Sequence, residues 1–189
     1  LPNTGRVVTF ASQTSVPALY RERVYVMARL ADYARAHPGD TVLIKSRTPL
    51  DGRATHKENF RYEHIRPPGM VRLPANMRFV YGSMADALEK TDILVTVSST
   101  AAMEALHGGR RVVVLADFGV RQNYGTHYFL DSGLIGAFDD LWSESVPLPN
   151  TAWLNRTGLS TGRNLAVAAD KIENLLAGQY RNIELDRNI

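Results

Sequence analysis

Residues 93–115 read ILVTVSSTAAMEALHGGRRVVVL, and this stretch carries the clearest fold signal in the chain. The β-branched, apolar run over residues 93–97 predicts a buried strand, and the run over 111–115 predicts a second one. Between them, residues 100–107 have the composition of a short helix, which Gly108 and Gly109 end. The order strand, helix, strand is typical of a parallel sheet.

The same alternation extends toward the amino terminus. Further strands are predicted at residues 7–10, 41–44 and 77–81, and helices at residues 21–36 and 84–90. These strands are continuously apolar instead of alternating, which indicates a sheet that helices cover on both faces. The sequence therefore predicts an α/β fold, a Rossmann-like, doubly wound parallel sheet.

Three segments do not fit this alternation as clearly. Residues 45–72 are polar, rich in Arg, His and Pro, and lack a period, so we expect a long, partly mobile connection. Residues 118–142 are rich in glycine and aromatic residues. A closing helix is predicted from apolar residues spaced between Leu165 and Leu176.

Composition excludes several classes of protein. The chain has no cysteine, which excludes disulfides, thiolate metal sites and cysteine nucleophiles. Its formal net charge of +3 is spread along the chain and is too small to indicate nucleic-acid binding. No apolar run is long enough to cross a bilayer, so we expect a soluble domain.

The length of the chain bounds its domain organisation. All 189 residues are expected to form one domain, residues 1–189, because two ordinary domains would need a longer chain. Strand-like sequence begins at Arg6 with no initiator methionine before it. We therefore expect this domain to come from a longer, two-domain protein.

Candidate site residues follow from the strand order, since open parallel sheets bind ligands beyond the carboxyl ends of their strands. Five polar loops occupy these positions: Ser12-Gln13-Thr14, Lys45-Ser46-Arg47, Gly82-Ser83, Ser98-Ser99-Thr100 and Ala116-Asp117. The fourth, called the hydroxyl loop (Ser98, Ser99 and Thr100), leads directly into a helix whose free N–H groups and dipole favour an anion. Taken alone, the hydroxyl residues are equally well explained as a helix N-cap.

Glu104 follows Thr100 by four residues, whereas a capping box has its glutamate three residues after the cap. From a cap at Thr100, the carboxylate lies one turn along the same helical face, where it is placed to accept hydrogen bonds from ligand hydroxyls. The alternative is a cap at Ala101, from which Glu104 would cap its own helix.

Two cations flank Ser46 at the end of the second strand. Arg47 is suited to bind a diphosphate with paired hydrogen bonds, and Lys45 is suited to bind it as a point charge. The alternative is a solvated strand end. Because one cation at a strand terminus indicates little, the pair is the more informative observation.

Three further residues are candidates to bind the ligand. Gly82 and Ser83, beside Tyr81, are candidates to border a base. His127 lies in a polar, glycine-punctuated loop suited to contact a sugar, with a packing role as the alternative. No metal site is predicted, because there is no histidine pair at helical spacing and the carboxylates Asp131, Asp139 and Asp140 form no ligand pattern.

The stretch over residues 93–115 resembles the carboxyl-terminal, donor-binding domain of GT-B glycosyltransferases. The nearest variety is the capsule-polysaccharide, polysialyl and Kdo transferase group, which has a Ser-Ser/Thr motif before this helix and a glutamate within it. UDP-N-acetylglucosamine 2-epimerases are similar in the same place. By this resemblance the hydroxyl loop would hold the donor phosphates and Glu104 the ribose hydroxyls. That group has a His-Pro motif after its second strand, where this chain has Lys45-Ser46-Arg47-Thr48-Pro49, so the identity of the donor stays open.

The resemblance also implies partners and a location. The substrates would be a nucleotide-activated sugar and a glycan or lipid-linked acceptor, with no nucleic-acid partner, no metal and no cofactor. The general base would belong to an absent amino-terminal domain, so the isolated chain would bind its donor without turnover. The location would be cytoplasmic, or peripheral at the inner face of the membrane. The alternatives are a sugar-nucleotide epimerase, a glycerophosphate-type transferase and a non-enzymatic nucleotide-binding module.

Overall fold

Six parallel strands form the centre of the structure, a computed structural model that describes residues 5–46, 60–142 and 145–159. The strands are β1 (Val7–Ala11), β2 (Thr41–Lys45), β3 (Met77–Val80), β4 (Ile93–Thr96), β5 (Arg111–Leu115) and β6 (Ile135–Gly136). Their spatial order is β3-β2-β1-β4-β5-β6, with every neighbouring pair parallel. This is the strand order of a Rossmann fold, and it reverses direction between β1 and β4. The predicted doubly wound, Rossmann-like sheet is confirmed.

Helices cover both faces of the sheet. They are α1 (Tyr20–Ala36), α2 (Met84–Glu89), α3 (Ala101–His107), α4 (Phe138–Trp142) and α5 (Thr151–Thr157). Buried residues of α1 and α4 form one core cluster, and those of α2, α3 and α5 form another. Because successive strand residues point to opposite faces, Val113 joins the first cluster and Val112 the second. Continuous apolar strands are the sequence signature of this arrangement.

The predicted elements agree closely with the observed ones. Each of the five strands and three helices predicted between residues 7 and 115 is present, and each of its ends lies within one residue of the prediction. The agreement is best where buried β-branched runs alternate with short helices, because both periodicities are strong there.

The connection between β2 and β3 is more structured than its polar composition predicted. Residues 47–59 lie outside the described residues, but the part that follows contains a 3₁₀ turn, Tyr62–His64. Tyr62 and Ile65 are each only 1% exposed and belong to the core cluster beneath α1. The ring of Tyr62 meets that of Phe10 on β1 edge-on, with centroids 5.3 Å apart. Isolated apolar residues without a period gave no signal for this packing.

The segment after β5 contains elements that the sequence did not predict. They are β6, α4, α5 and two 3₁₀ turns, Gln122–Tyr124 and Thr126–Phe129. Trp153 of α5 packs beside Phe129 and closes one core cluster. The closing helix predicted between Leu165 and Leu176 lies outside the described residues. Within the described ranges, no helix is long and apolar enough to cross a membrane.

Candidate functional site

A cavity of about 490 Å³ opens at the carboxyl edge of the sheet, beside the point where the strand order reverses. Its lining residues are Ser12, Gln13, Thr14, Ser15, Lys45, Gly82, Met84, Ser98, Ser99, Thr100, Ala101 and Glu104. Four of the five predicted loops therefore meet in one place. Mixed hydroxyl, amide and charged side chains make the lining suited to a polar ligand.

The fifth loop, Ala116-Asp117, does not line this cavity. The Asp117 carboxylate instead accepts hydrogen bonds from the backbone N–H of Phe138, at 3.3 Å, and from the hydroxyl of Tyr25, at 2.7 Å. Burial, together with this hydrogen bond and the Asp117 charge, raises the pKa of Tyr25 to about 12. Asp117 thus joins the start of α4 to α1.

The hydroxyl groups of Ser98 and Ser99 form hydrogen bonds with other residues of the chain. The Ser98 Oγ donates to the backbone oxygen of Tyr124 and accepts from the side-chain amide of Gln13 at 3.3 Å. The Ser99 Oγ accepts from the N–H of Ala101 at 3.2 Å, at the start of α3. These bonds fix the shape of the hydroxyl loop.

Thr100 and Glu104 present polar groups to the cavity. Thr100 is the N-cap of α3, yet its side chain makes no capping hydrogen bond and is exposed. Glu104 is exposed one turn further along, and its carboxylate makes no hydrogen bond with any residue that the structure describes. The alternative cap at Ala101 is not observed. Both side chains are available to a ligand.

Lys45 is the basic residue among the described lining residues. It ends β2 and is only 4% exposed, and its Nζ donates to the backbone oxygen of Ser46 at 2.8 Å. Its own backbone oxygen accepts hydrogen bonds from the N–H and the Oγ of Ser12, which joins the first two loops. Arg47, the second predicted cation, lies outside the described residues.

The remaining predicted residues have different positions. Gly82 lines the cavity in the left-handed backbone conformation, with φ at 89°, which favours glycine. Ser83 is the N-cap of α2, where its Oγ accepts from the N–H of Asp86 at 3.0 Å. His127 is absent from the cavity lining and packs against Tyr128, with ring centroids 4.0 Å apart and the ring planes tilted by 38°.

Gln13 is a central residue of the site that the sequence placed in one of the five predicted loops but did not single out as a binding residue. Its Oε1 accepts from the N–H of Ser98 at 3.0 Å, and its Nε2 donates to the Ser98 Oγ. One side chain therefore holds the hydroxyl loop against the loop after β1. The sequence offered one clue to this role, the position of Gln13 directly after β1. A single glutamine side chain is not diagnostic of any particular kind of site.

Metal ligands do not cluster in the part of the chain that the structure describes. No group of three His, Asp or Glu side chains there is arranged to hold a metal ion. Among the described lining residues of the cavity, the charged side chains are Lys45 and Glu104.

Comparison with solved structures identifies proteins of similar fold. The glycotransferase of kitacinnamycin is 19% identical, with a TM-score of 0.50 over 92% of this chain and 44% of that protein. The calicheamicin glycosyltransferase CalG4 is 18% identical, with a TM-score of 0.50 over 95% of this chain and 45% of that protein. The UDP-GlcNAc 2-epimerase from Neisseria meningitidis, solved with UDP-GlcNAc, is 11% identical, with a TM-score of 0.50 over 77% of this chain and 37% of that protein.

These similarities establish a GT-B-like Rossmann fold. The chain spans less than half the length of each of the three solved proteins. No curated protein sequence matches it significantly. A family model does match, over residues 2–175, and its description agrees with the fold. The chain therefore belongs to the family described as "Putative glycosyltransferase (DUF6716)".

Proposed function

We propose that this chain is the donor-binding half of a glycosyltransferase and that its cavity binds the nucleotide diphosphate part of an activated sugar. The observation that carries the proposal is the convergence of the hydroxyl loop, Lys45 and Glu104 on one cavity at the carboxyl edge of the sheet. Doubly wound sheets bind nucleotides at this position. Membership of a glycosyltransferase family supports the reaction class.

The diphosphate would lie at the hydroxyl loop. Thr100 contributes an exposed hydroxyl without an intramolecular partner in the described structure, so it is the member of the loop that contacts a phosphate oxygen. Ser98 and Ser99 hold the loop in shape, since their hydroxyls are already hydrogen-bonded. Lys45 supplies positive charge from the floor of the cavity, and Arg47 is proposed as a second cation.

The nucleoside would extend toward Glu104. A carboxylate that has no hydrogen-bond partner among the described residues and borders a polar cavity is suited to accept two ribose hydroxyls. Gly82 lets the backbone approach the base closely, while Ser83 supports the site as the cap of α2. We also propose that His127, which lies outside the lining of this cavity, contacts the sugar beyond the diphosphate.

The chemistry of this half would be stabilisation of the leaving group. When the bond between the sugar and the diphosphate breaks, negative charge develops on the phosphate oxygens. The Thr100 hydroxyl and the Lys45 ammonium stabilise that charge more in the transition state than in the bound donor, which lowers the barrier. No metal or cofactor has a role in this proposal.

The rest of the reaction would need a second domain. We propose that an amino-terminal domain supplies the general base and binds a glycan or lipid-linked acceptor, so the isolated chain binds its donor without turnover. The capsule-polysaccharide, polysialyl and Kdo transferase group is the proposed subgroup. The proposed location is the cytoplasm, or the inner face of the membrane as a peripheral protein.

Calorimetry at low salt tests the donor site. CMP, UDP, GDP and CDP are titrated into the full chain and into a Lys45→Met variant, with Lys90→Met, at an exposed lysine that ends α2, as the matched charge control. We expect one nucleotide to bind at micromolar to low-millimolar affinity, with the affinity lost in Lys45→Met and retained in the control. Absence of binding by all four, with circular dichroism showing a folded chain, would count against the proposal.

A sugar-nucleotide epimerase is the second candidate, because the UDP-GlcNAc 2-epimerase from Neisseria meningitidis has the same fold. A glycerophosphate-type transferase would share the phosphate site as well. Product analysis with the full-length protein separates these reactions: a transferred sugar supports the glycosyltransferase, an epimerised donor supports the epimerase. Binding without either product supports a non-enzymatic nucleotide-binding module.

A further inference from the structure

The first turn of α1 carries two adjacent charged residues that do not line the cavity but connect to the loops that do. Arg23 is 2% exposed, which is unusual for a charged side chain. Glu22, its neighbour, is half-buried. A pair of partly or fully buried charges on one helical turn requires specific partners to offset the loss of hydration.

Arg23 binds backbone oxygens of two separate segments, the loop between β1 and α1 and the connection that contains Phe60. Its Nε donates to the oxygen of Pro17 at 2.8 Å, and one Nη donates to that of Phe60 at 2.7 Å. The other Nη donates to the oxygens of Gln13 and Thr14, at 3.1 and 2.8 Å. The planar, rigid donor set of a guanidinium suits this role, which a flexible lysine ammonium cannot reproduce. Arg23 thus fixes the backbone from which the Gln13 side chain extends.

Glu22 holds a different loop, the one after β5. Its carboxylate accepts a short hydrogen bond from the hydroxyl of Tyr124 and another from the N–H of Leu19, at 3.3 Å. Tyr124 is 3% exposed. Burial, followed by the hydrogen bond to Glu22 and the Glu22 charge, raises the pKa of Tyr124 above its ordinary value.

The two loops meet at Ser98 from opposite sides. Gln13 hydrogen-bonds both the N–H and the Oγ of Ser98, and the backbone oxygen of Tyr124 accepts from the same Oγ. Gly125, next to Tyr124, lies so close that a Cβ there would be 3.1 Å from the Ser98 Oγ. The hydroxyl loop is therefore held between two loops that both depend on one turn of α1.

We propose that Glu22 and Arg23 are positioning residues that set the conformation of the hydroxyl loop for phosphate binding, acting through Tyr124 and Gln13 respectively. The inference rests on the proposed function for its ligand, while its structural part can be measured without one. Neither residue lines the cavity proposed for the diphosphate, so each would act on the phosphates only through the loop that it holds.

The test compares ligands that differ only in their phosphates. Affinities of the nucleoside diphosphate that the full chain binds, and of its parent nucleoside, are measured for Tyr124→Phe, Glu22→Ala, Glu22→Gln and Arg23→Lys. We expect the diphosphate affinity to fall roughly three- to tenfold in Tyr124→Phe and Glu22→Ala, with the nucleoside affinity unchanged. Glu22→Gln keeps an acceptor for the Tyr124 hydroxyl and should restore most of the affinity. Tyr20→Phe, an exposed tyrosine of the same turn, is the matched control.

Hydrogen exchange supplies a second readout that needs no ligand. We expect amides of residues 96–102 to exchange faster in Tyr124→Phe than in Tyr20→Phe. Equal losses for diphosphate and nucleoside, or unchanged exchange over residues 96–102, would overturn the positioning role. If the unmodified chain binds no nucleotide, the proposed function fails, and the exchange result alone decides the positioning role. Tyr124→Phe removes one hydroxyl and keeps the ring, so the test stands even if the Arg23 variant does not fold.

Discussion

Thr100 is the residue on which the phosphate assignment depends. Replacing it with valine keeps the branched shape and removes the hydroxyl that is exposed to the cavity. We expect Thr100→Val to weaken nucleoside diphosphate binding about three- to tenfold, since hydrogen bonds to charged groups are among the stronger ones. Calorimetry measures the change, and Thr151→Val, at the first turn of α5, is the control. Equal affinities for the two variants would contradict the role of Thr100.

The role proposed for Glu104 can be tested through the ribose of the nucleotide. If its carboxylate accepts the ribose hydroxyls, Glu104→Gln and a 2′-deoxynucleotide each remove part of the same interaction. We expect each change alone to weaken binding about fivefold, and both together to weaken it less than the product of the two. A double-mutant cycle by calorimetry measures this coupling. Strictly additive losses would place the ribose elsewhere.

How far the sequence predicts the site differs from residue to residue. Ser98, Thr100 and Glu104 could be selected as candidates because the sequence shows where a buried strand ends and a short helix begins. Ser98 and Thr100 lie between these two elements, and Glu104 lies in the first turn of the helix. The roles of Gln13 and Arg23 could not be identified in this way. The Gln13 side chain bonds residues 83 and 85 positions away, and Arg23 bonds a separate loop at Phe60. The helical face of α1 that is buried was identified from the spacing of its apolar residues. That spacing contains no information about a buried arginine, so Arg23 was not recognised.

Among the structural elements, the 3₁₀ turn Tyr62–His64 gives the strongest test of packing. Its polar surroundings suggested a connection without a core role, whereas Tyr62 is 1% exposed and lies under the Arg23 guanidinium. We expect Tyr62→Ala to lower the free energy of unfolding by about 3–5 kcal/mol, the range for large aromatic side chains in cores. Val71→Ala is the control, because Val71 is 88% exposed in the same connection. Chemical denaturation of the full chain measures both.

A small effect in Tyr62→Ala, comparable to that of Val71→Ala, would show that this turn does not support the core. The contrast with β4 and β5 explains why the element was missed. Those strands are recognisable in the sequence as runs of apolar, β-branched residues. By contrast, β6 has only two residues and the turn at Tyr62 only three, which is too short for a recognisable run. Elements of that length are determined by their packing against the rest of the core, and local sequence periodicity does not reveal this packing.

The whole chain is expected to bind a donor without completing the reaction. It spans less than half the length of the glycosyltransferases of similar fold, and the roles proposed for the described cavity residues are contacts to the donor and its leaving group. We expect incubation with the sugar nucleotide that it binds to release no nucleotide above the uncatalysed rate, as measured by a coupled assay. Release that Lys45→Met abolishes would show that the chain is catalytically complete.

An NMR titration of the isotope-labelled full chain with the four nucleotides shows where the ligand binds. The account predicts amide shift changes in residues 12–15, 82 and 98–104 for one nucleotide, with little change near Leu148 at the apolar groove on the far side of α3. Changes confined to that groove, or none in residues 98–104 at saturating ligand, would contradict a donor site at the hydroxyl loop.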